Sequence, residues 1–297
     1  MLHPITFCIA EEKVIDIIPS KTKMVSDLIP GKQSTYIYTT EQDYYNEYRS
    51  SLFAITTKKG GWDCMRHYEI LANGCIPLFT DIDKCPINTL ALFPKELMMN
   101  AHSLYNMLAP KQNVRALTDK DWTEYNKLVS QLLEYTRSYL TTRKLAEYIL
   151  IKSGHKEAKR ILFLSAYTGP DYLRCVILHG FKQLVGKQCH DYPKVPHIYK
   201  SNTINYSKLY GKGISYTNLL ESVNHDDSLD PIIEEQIKTH QFDIVIYGSY
   251  HRGMPYLDLV NKFYTPDKII LLCGEDIESC NYASWVSKGY TVFVREL

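Results

Sequence analysis

Leu52–Phe79 reads LFAITTKKGGWDCMRHYEILANGCIPLF, and its pattern changes character three times. Leu52–Thr56 is a short apolar run of the kind that forms a buried strand. Thr57 to Gly61 then brings two lysines and two glycines, which punctuate the chain as a turn. From Trp62 to Ala72 the apolar residues recur at helical spacing, and Cys75–Phe79 returns to a strand. A strand, a helix and a second strand in so short a span are the unit from which parallel sheets covered by helices are built.

The same alternation extends in both directions. Upstream, Ile5–Ile9 and Thr35–Tyr38 read as strands and Glu41–Ser50 as a polar helix. Downstream, Pro86 and Pro94 mark loops. Between Asp121 and Ile151 the residues Trp122, Tyr125, Leu128, Val129, Leu132, Leu133, Leu140 and Tyr148 fall mostly at helical spacings, as in one long amphipathic helix. It stops at Lys152-Ser153-Gly154, a helix stop and linker. A second series follows: strand Arg160–Ser165, loop Ala166–Pro170, helix Tyr172–Leu184, then strands Ile244–Tyr247, Ile269–Cys273 and Thr291–Val294. The tyrosine-rich stretch from Cys189 to Asp230 carries no periodicity that assigns it. The expected architecture is therefore α/β, with two Rossmann-like units spanning residues 1–153 and 154–297. Ligands in such folds bind at the carboxyl ends of the strands.

Composition narrows the class. The 297 residues are 45% hydrophobic and 23% charged with a net charge of +1, which suits a globular protein and argues against a nucleic-acid partner. No apolar run approaches the roughly 20 residues that span a bilayer, and no basic-then-apolar leader opens the chain. A cytoplasmic protein without a membrane span is expected. The 8 cysteines show no CxxC spacing and several sit in apolar runs, so reduced, buried thiols are expected, with no zinc site and no disulfide framework.

The chemistry concentrates in Lys58, Lys59, Gly60, Gly61, Trp62, Arg66 and Glu69. Glycines before a helix allow close approach of a ligand to free N–H groups, and the two lysines add positive charge. Arg66, one turn into the helix, has the planar fork that suits phosphate oxygens. The same residues also have an ordinary use: Arg66 and Glu69 as a surface ion pair, Trp62 as core, and the glycines as a turn.

The run from Phe53 to Asp81 resembles the nucleotide-sugar motif of exostosin-like glycosyltransferases at Arg66, Glu69, Gly74, Cys75, Ile76 and Pro77. With Gly61-Trp62-Asp63-Cys64 and Arg66-His67-Tyr68-Glu69 it looks like the small soluble members encoded by large DNA viruses, among them a xylosyltransferase of capsid glycans. The resemblance implies a GT-B fold with two Rossmann-like domains facing across a cleft, the first binding donor and the second acceptor. It further implies a uridine diphosphate sugar donor, with xylose as the sugar borrowed from the viral member, and a glycan or glycoprotein acceptor such as a capsid glycan. Glu69 would hold the ribose, while Arg66 and Lys59 would stabilise the departing diphosphate in place of a metal, so no cofactor is expected. Transfer would invert the anomeric centre. The family's usual order places the acceptor domain first. Here the donor motif comes first, which implies a circular permutation that joining Leu297 to Met1 would undo.

An inverting transferase needs a general base. Asp171 and His251 are the candidates, with helix capping the commoner use of an aspartate in the position of Asp171. Tyr250, Arg252, Glu275 and Asp276, in two further strand-end loops, are candidates for contacting acceptor. His190-Asp191 and His225-Asp226-Asp227 read as ordinary surface neighbours. Two rivals remain. Asp81-Ile82-Asp83 could be the metal-holding pair of a single-domain GT-A transferase, or the chain could bind a nucleotide-sugar or serve assembly without turnover.

Overall fold

The computed structural model describes residues 1–276 and 280–297. The first part of the chain forms β1 (Leu2–Pro4), β2 (Lys23–Val25), α1 (Glu41–Arg49), β3 (Ser51–Thr56), α2 (Met65–Ala72), β4 (Ile76–Phe79), α3 (Lys95–Leu108), α4 (Asp119–Tyr139) and α5 (Thr142–Lys152). The second part forms β5 (Ile161–Leu164), α6 (Tyr172–Val185), β6 (Cys189–Tyr192), α7 (Ile233–Lys238), β7 (Ile244–Tyr247), α8 (Leu257–Phe263), β8 (Ile269–Cys273), α9 (Tyr282–Ser287) and β9 (Thr291–Val294).

The strands make two sheets in which every pairing is parallel. One has six strands in the order β1-β9-β8-β7-β5-β6 and the other has three in the order β2-β3-β4. The α/β expectation holds, and the six-stranded sheet is compatible with a Rossmann-like fold. β5, β7, β8 and β9 are buried at every position, as strands covered on both faces must be.

Several expectations are corrected. The first strand is Leu2–Pro4 rather than Ile5–Ile9, and it joins the six-stranded sheet beside β9, across the expected boundary near residue 154. Ile5–Ile9 is buried without a ladder of its own. Thr35–Tyr38 is a 3₁₀ turn, Gln33–Thr35, followed by unpaired chain. The long helix is two helices. Ile9 inserts its backbone at the break, its N–H donating to Leu140 O at 3.0 Å and its carbonyl accepting from Thr142 N at 2.9 Å. The thiol expectation fails for one pair, because Cys273 and Cys280 form a disulfide.

A direct join of the termini also fails. β1 and β9 are parallel, Leu2 standing opposite Val292 and Pro4 opposite Val294. Met1 and Leu297 thus lie at opposite ends of adjacent strands, and parallel neighbours need a crossover of a dozen or more residues. Among the described residues no helix is long and apolar enough to cross a membrane.

Candidate functional site

Gly60 and Gly61 both face a close approach, but what approaches is the chain itself. A Cβ on Gly61 would stand 2.4 Å from Glu296 Oε1, and one on Gly60 would stand 2.7 Å from Asp276 Oδ2. The Glu296 carboxylate accepts from the N–H groups of Trp62 and Asp63, both at 3.0 Å. The amides expected to hold a diphosphate therefore already hold an anion. Arg295 stands behind it, its guanidinium fully buried. It donates to Glu296 Oε1 at 2.8 Å, to Gly274 O at 3.1 Å, and to Asp63 O and Asp276 Oδ1. Lys58 is exposed over the Trp62 ring, and Trp62 itself is core; neither they nor the two glycines line the cavity that opens one turn further on.

One turn further on, the chain is open. A cavity of about 580 Å³ is lined by Lys59, Cys64, Met65, Arg66 and Glu69 from the motif, and by Tyr36, Tyr172, Tyr210 and Lys212 from elsewhere. Cys64 caps α2 without a side-chain hydrogen bond, which leaves the first-turn N–H groups of α2 without that partner. Arg66 is buried and makes only long contacts, to Thr56 Oγ1 at 3.3 Å, Tyr36 OH at 3.4 Å and Thr57 O at 3.5 Å. It forms no ion pair with Glu69 among the described residues, so the surface-pair explanation is set aside. Burial raises the Cys64 thiol to about 11.

Glu69 is buried, and burial raises its carboxyl above the usual range against the pull of Ser215, Tyr44 and Arg66. It accepts from Tyr44 OH at 2.8 Å and Ser215 Oγ at 2.5 Å. Ser215 sits at φ +74°, and Lys212 between two glycines at φ +56°, conformations that L-residues adopt at a cost. Ser215 is held there by Glu41, which accepts from its N–H at 2.7 Å, and by Tyr45 OH at 2.7 Å. The unassigned stretch thus folds over the cavity, supplying Tyr210 and Lys212 to its lining and Ser215 to Glu69. The one sequence cue was Tyr210-Gly211-Lys212-Gly213, a basic residue between two flexible ones.

The strand-end loops of the six-stranded sheet converge as expected. Asp171 caps α6 through Arg174 N at 3.1 Å, accepts from Ser249 Oγ at 2.7 Å and pairs with Arg252 at 3.4 Å. His251 Nε2 lies 2.7 Å from Glu275 Oε1, while Nδ1 is buried with no partner. Burial lowers the His251 pKa, and Glu275 and Asp171 oppose that shift. Neither Asp171 nor His251 lines the 580 Å³ cavity. Tyr250 is core, its hydroxyl donating to Cys280 O, and the exposed Asp276 accepts from Arg295. Asp81 and Asp83 also lie outside the cavity. No protein-family profile, curated protein or solved structure matches this chain.

Proposed function

We propose that the chain is a glycosyltransferase that takes a sugar from a uridine diphosphate sugar and passes it to a glycan acceptor with inversion. The observation that carries this reading is that Lys59, Arg66 and Glu69 line one cavity with Lys212 and five tyrosines, Tyr36, Tyr38, Tyr44, Tyr172 and Tyr210. Three cations and the first turn of α2 suit a diphosphate, and the tyrosine rings suit a base or sugar face. The buried Glu69 carboxylate, oriented by two hydroxyls, suits ribose hydroxyls. On this reading Arg66, Lys59 and Lys212 stabilise the charge that develops on the leaving diphosphate.

A GT-B-like arrangement is part of the proposal. The turn after β3 meets Asp276 after β8 and Glu296 after β9, so strand ends of both sheets approach one another. Acceptor would enter beside the strand-end loops, with His251, oriented by Glu275, as general base and Arg252 and Glu275 flanking it. Asp171, engaged three ways, acts as a cap.

Thermal unfolding with uridine and guanosine diphosphate sugars, UDP-xylose included, tests the reading. A donor at 100 times its dissociation constant stabilises by about 2.7 kcal/mol. Absence of stabilisation by any of them overturns it. Asp81→Asn with Asp83→Asn should leave transfer intact, and its loss would favour the GT-A rival. Stabilisation without transfer to any acceptor would favour the non-catalytic binder.

A further inference from the structure

His190, on the edge strand β6, and His225 with Asp230, in the excursion that follows it, bring three ligand atoms within 4.8 Å of one another. His190 Nε2 lies 3.0 Å from Asp230 Oδ1, and His225 Nε2 lies 3.3 Å from the same oxygen. Four ligands at 2.0–2.1 Å around a tetrahedral ion stand about 3.3 Å apart, so these separations are those of ligand edges.

Hydrogen bonding accounts poorly for the convergence. His190 is 1% exposed, yet neither of its ring nitrogens has a hydrogen-bond partner, and Asp230 Oδ1 has none either. The short contact between them is misaligned for a hydrogen bond, which is how two groups look when both point at a place between them. Only a 3.4 Å contact joins His225 Nε2 to Asp230 Oδ2.

The surroundings match the outer shell of a metal-bound histidine. His225 Nδ1 lies 3.0 Å from Asp191 Oδ1, so an Nδ1–H bond to that carboxylate leaves Nε2 as the free lone pair. Asp191 is locked in turn by Lys182 at 2.9 Å, Tyr199 OH at 2.6 Å and Val195 N at 3.1 Å. Lys182, Asp191 and His225 have side chains with no exposure, so this support is rigid.

We propose that His190, His225 and Asp230 bind a divalent zinc-class ion, with Asp191 as the residue that positions His225. Two imidazoles and one carboxylate are the donor set of zinc and also of non-haem iron. Redox chemistry at iron needs room for further ligands. A cavity of about 370 Å³ touches Asp230 but neither imidazole, so the ion is structural and zinc fits it. The fourth position falls to water or to Asp227, whose Oδ1 lies 3.7 Å from His225 Nε2. The ion would fasten both ends of the excursion from Tyr192 to Asp230 to the sheet edge, and that excursion carries Lys212 to the cavity and Ser215 to Glu69.

The test uses the full chain, stripped with a chelator and titrated with zinc and with cobalt(II). About one equivalent should bind, with the visible absorption of tetrahedral cobalt, and zinc should raise the unfolding temperature. His225→Gln and Asp230→Asn should each weaken binding at least about 100-fold, and Asp191→Asn about 10- to 100-fold. Circular dichroism of each variant, with a cooperative denaturant transition, checks that it folds. Absence of stoichiometric binding to the folded wild-type chain overturns the proposal. So does binding that survives both His225→Gln and Asp230→Asn, and so does ferrous iron held in marked preference to zinc. Because the readout is metal binding, failure here leaves the nucleotide-sugar reading standing, and the reverse also holds.

Discussion

The glycine turn at Gly60–Asp63 and the first turn of α2 are neighbours in sequence, and each presents backbone N–H groups where anions bind. The turn is closed: Glu296 accepts from Trp62 and Asp63, and Arg295 is packed behind it. The helix start is open, facing a cavity with Arg66, Lys59 and Lys212. Free N–H groups and glycines are therefore not enough to define an anion site. What decides is whether the chain brings a carboxylate of its own. The largest expected effect follows from this contrast. Arg66→Ala should weaken uridine diphosphate binding about 100-fold, near 2.7 kcal/mol, since a charge-assisted forked contact is lost. Isothermal titration reads it. Stability should change little, because Arg66 has only long neutral contacts in the ligand-free chain.

Glu296→Ala sharpens the same contrast from the other side. It strips the acceptor from two N–H groups and one partner from the buried Arg295, so it should cost about 2 kcal/mol of stability by denaturant unfolding. Uridine diphosphate affinity should stay within about twofold, as the ligand uses α2 and not the turn. A gain in affinity would reverse the comparison, because Glu296 would then be a competitor at the true phosphate site.

Glu69→Gln should weaken uridine diphosphate about 10-fold, since the amide keeps one acceptor and loses the charge. It also has a pH signature. Burial raises the Glu69 carboxyl above its unfolded value, so the folded chain favours the protonated form. That contribution is complete below the unfolded pKa and is lost as pH rises through the folded pKa. The stability of the wild type relative to Glu69→Gln should therefore fall on going from acid to neutral pH. A flat difference would mean that Tyr44, Ser215 and Arg66 compensate burial fully.

How much of this was legible in sequence depends on how far apart the interacting residues are. Ile269–Cys273 and Thr291–Val294 form strands at the expected bounds because unbroken apolar runs declare a strand buried on both faces. Arg66 and Glu69 share a cavity because residues three positions apart on one helix share a face by geometry. What stayed hidden is set by distant partners. The break near Leu140 exists because Ile9 docks there, and Leu2–Pro4 chose its sheet by pairing with Val292–Val294. Glu296 reads as an ordinary terminal acid until the fold brings it to Gly61. His190-Asp191 and His225-Asp226-Asp227 looked like surface pairs, yet His190, Asp191 and His225 are buried and turned toward one another.

Gly60→Ala is the smallest expected effect and the closest check on the closed turn. The added Cβ would lie 2.7 Å from Asp276 Oδ2, so that carboxylate must move. It can, because the Asp276 side chain is 61% exposed. Its movement loosens one contact of Arg295, which keeps Gly274, Asp63 and Glu296. Alanine also narrows the unfolded ensemble relative to glycine, worth about 0.4–1 kcal/mol in the opposite direction. The two nearly cancel, and a net change of about 0.5 kcal/mol or less is expected in denaturant unfolding. Uridine diphosphate binding should not change. If it falls as far as in Arg66→Ala, the ligand must touch Gly60 directly, and the distinction between a closed turn and an open helix start would fail.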